Sequence, residues 1–112
     1  AARKIFFLDS RTTPDTQVVP VAQSFGVESG ARDVFLDDET SHTSVAGELR
    51  VAEAHARQGG VSIAIGHPHP ATLDAIETWL RSGVTRRVAL VTAGEAIRLK
   101  NAHAALRSEI SN

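Results

Sequence analysis

Three short apolar runs in this chain each break into ionisable residues. Residues 6–12 read FFLDSRT, residues 32–38 read RDVFLDD and residues 63–70 read IAIGHPHP. Buried strands that end repeatedly in Asp, Arg or His describe the working face of a parallel α/β protein, where side chains at the C-terminal strand ends gather.

The rest of the chain alternates accordingly. Residues 5–8 read as a first buried strand, continuous in hydrophobicity. Thr13 then suits an N-cap and Pro14 a first helical position. Val18, Val21, Ala22 and Phe25 give the apolar spacing of that helix and Gly26 its end, while Pro20 is a misfit expected to kink or shorten it. A second strand is predicted over residues 34–36, and a polar loop from Asp37 to Thr43. A helix over residues 44–58 carries Val45, Leu49, Ala52 and Ala56 on one stripe and stops at Gly59-Gly60. Residues 61–65 give the third strand. Residues 70–81 give a helix with Leu73, Ile76, Glu77 and Leu80 at helical spacing, closed by Gly83. A fourth strand is expected over residues 88–91 and a last helix from Glu95 to about Leu106. The order βαβαβαβα predicts parallel strands joined by crossover helices, as a small open sheet or half of a barrel. All 112 residues are expected to form a single α/β unit.

Bulk properties remove several function classes. The formal charge is −1 and the pI about 6.6, so no basic field draws the chain to nucleic acid. Arg86-Arg87 is read as the polar start of the fourth strand. Cysteine is absent, which excludes disulfides, thiol nucleophiles and cysteine-ligated zinc. No apolar run reaches the ~18 residues a membrane span needs, and no charged-then-apolar leader opens the chain. Because a strand begins almost at once, a preceding segment is expected.

Each strand end offers candidates. Arg11, after Asp9 and Ser10, can orient a carboxylate or hold an anion bidentately; alternatively, Asp9 caps the turn and Arg11 is solvated. Asp33, Phe35 and Asp37 share one face of the second strand. An acid at Asp33, inside an apolar strand, needs a cation or donors. Arg11 could supply this as a structural or a catalytic pair. His67 stands just past the third strand between Gly66 and Pro68, well placed for proton transfer near neutral pH. His67 and His69 could bind a metal, but at i and i+2 of an extended turn they should point apart, which disfavours a shared ion. His42, His55 and His103 read as surface residues. No phosphate-cradling glycine motif, HExxH or nucleophile elbow is present.

With these residues in view, the chain resembles the divergent polysaccharide deacetylase family of bacterial envelope proteins. FFLDSRT, RDVFLDD, IAIGHPHPATL and the closing VALVTA follow that family's motifs in order over about the first 95 residues. The resemblance implies the C-terminal half of a distorted (β/α) barrel of the carbohydrate deacetylase type, acting on N- or O-acetyl groups of envelope carbohydrate in the periplasm. It implies that Arg11 orients a catalytic carboxylate, that Asp33 or Asp37 is the supporting acid and that His67 is the general acid toward the leaving group. Asp9, Ser10 and His69 would contact substrate. A divalent metal, expected to be zinc, would polarise the acetyl carbonyl and activate water. The family's paired aspartates and earlier histidine segment have no match here. The catalytic base and most metal ligands are therefore expected outside this chain, in an N-terminal half or through self-association. His69 stands where the family often has an aromatic. Two other readings compete: a catalytically inactive envelope domain that binds glycan or a protein partner, and a complete small α/β enzyme using Arg11, Asp37 and His67.

Overall fold

The computed structural model describes residues 6–11 and 16–111. They form a mixed α/β structure with four helices and short parallel strand pairs. Two compact units divide the chain, one from Ala1–Arg32 with Thr92–Asn112 and the other Asp33–Val91.

In the first unit β1 (Phe6–Asp9) lies parallel to β2 (Glu28–Ala31), with Leu8 opposite Gly30 and Asp9 opposite Ala31. Sequence reasoning missed β2 because ESGA is short, polar and contains glycine. The glycine has a packing reason: a Cβ on Gly30 would come 3.0 Å from Ile97 Cγ1, a tight contact that the last helix would have to yield to. That helix, α4 (Ala93–Ser111), buries Ile97 completely. Its Lys100 Nζ donates to the Ala31 carbonyl at 3.2 Å and its Asn101 Nδ2 to the Ser29 carbonyl at 3.3 Å.

Between the strands runs α1 (Val18–Ser24). The expected start at Thr13 and Pro14 lies outside the described residues. Because α1 begins at Val18, Pro20 occupies its first turn, where a backbone N–H has no intrahelical acceptor. Pro20 is therefore tolerated and is no misfit. Gly26, at φ 70°, ends the helix.

In the second unit β3 (Val34–Phe35) and β4 (Ala64–Ile65) pair in parallel, Val34 opposite Ala64 and Phe35 opposite Ile65. Ser41 caps α2 (His42–Gly59), accepting from the Ser44 amide at 3.1 Å. The predicted stripe of α2 is the observed one: Val45, Leu49 and Ala52 are buried with Val34, Leu36 and Ala75. In α3 (Pro70–Arg81) the boundaries agree with the sequence but the buried face does not. Thr72 and Ala75 are buried, Ile76 and Trp79 pack beside them, and Leu73 and Leu80 are exposed. Tertiary contacts select the face of Thr72, Ala75, Ile76 and Trp79 over that of Leu73 and Leu80.

The expected fourth strand is corrected. A single 3₁₀ turn, Val84–Arg86, is followed by residues 88–91 without strand pairing, and Leu90 and Val91 are about half exposed (54% and 49%). Hydrophobicity alone makes no strand where no ladder partner is present. Nor does Arg87 open one: its Nε and Nη2 donate to the two Glu53 carboxylate oxygens at 2.8 and 3.0 Å, and the Trp79 indole N–H donates to the same carboxylate.

Core truncation at α2 should separate sharply from surface truncation. Leu49→Ala, at a buried site, is expected to lower unfolding free energy by about 2–5 kcal/mol. Val51→Ala, on the exposed face, should change it by less than about 0.5 kcal/mol. Urea denaturation of both variants checks the contrast; equal losses would contradict this core.

Candidate functional site

The parallel register of β3 and β4 builds the site. Phe35 lies opposite Ile65, and two residues further on each strand stand Asp37 and His67. Parallel strands end on the same side, so the two side chains arrive together. The His67 ring Nδ1 lies 3.0 Å from Asp37 Oδ1. The other carboxylate oxygen, Oδ2, accepts from the His67 backbone amide and from Thr72 Oγ1 at 3.0 Å.

Asp37 is a fully buried carboxylate with three donors. Burial pushes its carboxyl up, but the hydrogen bonds from the His67 ring, the His67 amide and the Thr72 hydroxyl, with the attraction of His67, outweigh that push. They hold it below the ordinary aspartate range. An ionised carboxylate only accepts, so the contact at 3.0 Å places a proton on His67 Nδ1. This leaves Nε2 as the ring nitrogen not engaged by Asp37. The His67 side chain is 57% exposed, and the edge of its ring meets Phe35, with centroids 5.5 Å apart. Phe35, at the end of β3, and Asp37, in the turn that follows, both reach the imidazole.

His69 joins this pair, against the expectation that the two imidazoles diverge. The His69 amide donates to the His67 carbonyl at 2.8 Å, an i+2 to i bond that closes a γ-turn centred on Pro68. The alternation of an extended strand does not survive such a turn. The two rings lie 5.7 Å apart, and one ligand atom each from Asp37, His67 and His69 falls within 4.8 Å of the others. One carboxylate and two imidazoles are a donor set suited to zinc and its neighbours.

The remaining candidates have other surroundings. Asp33 Oδ2 accepts from the Ile63 amide at 2.7 Å, while the Asp33 amide donates to the Ile63 carbonyl at 2.7 Å. This two-way bond fixes the start of the β3–β4 pair. Asp9, Ser10 and Arg11 belong to the first unit. There the buried Asp9 accepts from the Arg11 amide at 2.9 Å, and Arg11 stands at φ 54°, a left-handed conformation uncommon outside glycine. Arg32 Nε donates to the Ser10 carbonyl at 2.6 Å and its Nη2 to the Arg11 carbonyl at 3.3 Å. The Arg11 side chain is exposed. Sequence reasoning did not single out Thr72 or Arg32. A threonine in the first turn after Pro70, off the apolar stripe, was the available signal for Thr72.

A buried carboxylate that orients an exposed imidazole at parallel strand ends is an arrangement chemically suited to proton transfer or metal binding. Comparison with known proteins supplies the lineage. The model of the divergent polysaccharide deacetylase family matches residues 1–97, and the chain belongs to that family. It is 39% identical over 80 residues to an uncharacterized protein of Haemophilus influenzae, covering 71% of this chain and 29% of that one. It is 42% identical over 73 residues to the uncharacterized protein YibQ of Escherichia coli, covering 65% and 23%. Among solved structures it is similar to the uncharacterized protein ATU2773 of Agrobacterium tumefaciens C58. That match has TM-score 0.68 and 27% identity over 73% of this chain and 33% of that one. The chain thus spans less than a third of these curated relatives. No described helix is long and apolar enough to cross a membrane.

Because the Asp37 carboxyl is held low in the folded state, its ionised form contributes stability. That contribution is complete above the unfolded aspartate pKa and disappears as pH falls through the lower folded value. Asp37→Asn should therefore unfold more easily than the wild type at neutral pH, with the two stabilities converging in acid. Denaturant titrations at stepped pH test this; a gap unchanged with pH would exclude an ionised Asp37.

Proposed function

We propose that this chain provides the proton-donating part of a carbohydrate deacetylase site, in a protein whose further length completes a distorted (β/α) barrel. The single observation that carries the reading is the Asp37–His67 pair, with Nδ1 held by a buried carboxylate and Nε2 not engaged by it. Family membership supports the substrate class, and the greater length of the relatives is consistent with a base outside this chain.

In the proposed reaction water gives one proton to a base beyond this chain and adds its oxygen to the acetyl carbon of an N- or O-acetylated envelope sugar, and the bond to the leaving nitrogen or oxygen breaks. His67 in its imidazolium form gives the Nε2 proton to that leaving atom, so acetate and a free amine or hydroxyl depart and the imidazole is left neutral. Asp37 keeps the ring oriented through its contact with Nδ1. A divalent metal of the zinc class, held largely by residues beyond this chain, would polarise the carbonyl and lower the pKa of the attacking water. Arg11, exposed on a turn fixed by Asp9 and Arg32, is assigned to orient the base carboxylate. Asp33 is assigned to support the site by setting the strand register. Asp9, Ser10 and His69 are assigned to the substrate side. The periplasm is the compartment that fits this substrate.

Acetate release from N- and O-acetylated oligosaccharides by the full-length protein tests the proposal. His67→Gln should lower the rate about 10²–10⁴-fold, the usual contribution of a positioned acid, while leaving substrate binding nearly unchanged. An equal rate in the variant would remove His67 from the chemistry. A wild type that binds these sugars but releases no acetate would make the protein a glycan-binding envelope domain.

A further inference from the structure

We infer that Asp37, His67 and His69 form a binding site of their own for a zinc-class divalent ion, separate from the ligands expected elsewhere in the protein. Three independent features point there. One ligand atom from each residue lies within 4.8 Å of the others. The γ-turn at Pro68, closed by the His69–His67 backbone bond, brings the two imidazoles near each other, with ring centroids 5.7 Å apart. The carboxylate is already oriented as a metal ligand is: Thr72 Oγ1 and the His67 amide both occupy Oδ2, so Oδ1 is the oxygen that faces the imidazole. Such outer bonds to a ligating carboxylate are what hold a metal site in shape.

The spacing also fits. Asp37 Oδ1 and His67 Nδ1 are 3.0 Å apart, and two donors on one tetrahedral zinc with bonds of about 2.0–2.1 Å stand roughly 3.3 Å apart. An ion can therefore enter where the shared proton lies, with that proton released. His69 is exposed and free to close on the ion by side-chain rotation. Two imidazoles select zinc, cobalt, nickel or copper over magnesium and calcium, which prefer all-oxygen shells. Three protein ligands leave the fourth position open to water or another small ligand.

Occupancy has a consequence. A His67 that binds the ion through Nδ1 no longer pairs with Asp37 and is no longer poised as a proton donor. Ion binding at this site would then restrain the proposed hydrolysis, and that consequence alone rests on the functional reading above. The binding itself does not.

The test uses the full-length protein, stripped by chelator and titrated with Zn²⁺, with Co²⁺ absorption as a second readout. The wild type should take up one more equivalent than His69→Ala, or bind that equivalent at least tenfold more tightly. His69 is exposed, so folding is not at issue. Thr72→Val, which removes an outer bond and no ligand, should weaken the same equivalent about 10–100-fold. Identical stoichiometry and affinity in wild type and His69→Ala would overturn the site. So would displacement of Co²⁺ by equimolar Mg²⁺. Absence of acetate release in the preceding experiment would leave these titrations untouched, so the two ideas fail separately.

Discussion

A charged carboxylate out of contact with water must be surrounded by donors or lose its proton. Asp37 meets that condition with three donors from two elements: the ring and amide of His67, just past β4, and the hydroxyl of Thr72 in the first turn of α3. The site follows from this demand. Satisfying Asp37 fixes the His67 backbone and the tautomer of its ring, and it brings the N-terminal turn of α3 against the strand ends. The positive end of that helix favours an anion in the same place. Gly66 belongs to the same arrangement, since a Cβ there would lie 3.2 Å from Leu36 and Thr72 side-chain atoms. A side chain there would crowd Thr72 and Leu36, so glycine suits the close approach by which Thr72 reaches the carboxylate.

The first unit uses a related device at the end of its own parallel pair. Asp9 is buried directly after Leu8, and its carboxylate takes the amide of Arg11. That bond, with the Arg32 guanidinium on the Ser10 and Arg11 carbonyls, stabilises a backbone that a non-glycine residue otherwise avoids. In both units a buried aspartate organises the turn that follows a parallel strand, and the turn carries an exposed ionisable side chain outward. The two outcomes differ in chemistry: a guanidinium is permanently charged, whereas an imidazole exchanges its proton near neutral pH.

Much of this could be read from residues alone where local chemistry decides. Pro70 at the first helical position and Gly83, at φ 84°, bracket α3 because φ preference acts whatever surrounds it. The stripe of α2 was legible because Val45, Leu49 and Ala52 have no polar rivals at those positions. Where tertiary partners decide, the reading failed. Residues 88–91 are apolar enough for a strand but have no pairing among the described residues. Residues 28–31 pair in spite of their polarity, because Gly30 admits Ile97. Leu73 looked like core, and Thr72 is core instead, since the carboxylate of Asp37 required its hydroxyl. Asp37 and His67 were both legible as candidates, from their positions after apolar runs. Their contact depended on the register of β3 with β4, which no periodicity encodes. The approach of His69 was invisible because strand alternation was carried two residues too far, into a γ-turn.

That turn also links the two kinds of chemistry proposed for this short segment. Proton donation requires Nδ1 of His67 to be tied to Asp37 with Nε2 open. Ion binding through Nδ1 requires that the shared proton leave. On the proposed readings the two states share Asp37 and His67, the metal state adds His69, and they exclude each other at a single atom, Nδ1 of His67, since a metal there must displace the proton. A site organised only to donate protons would gain nothing from a second imidazole folded back by Pro68, and a site organised only to hold metal would gain nothing from leaving the His67 ring so exposed. The sequence His67-Pro68-His69, read through its turn, is what keeps both states within reach of one buried carboxylate.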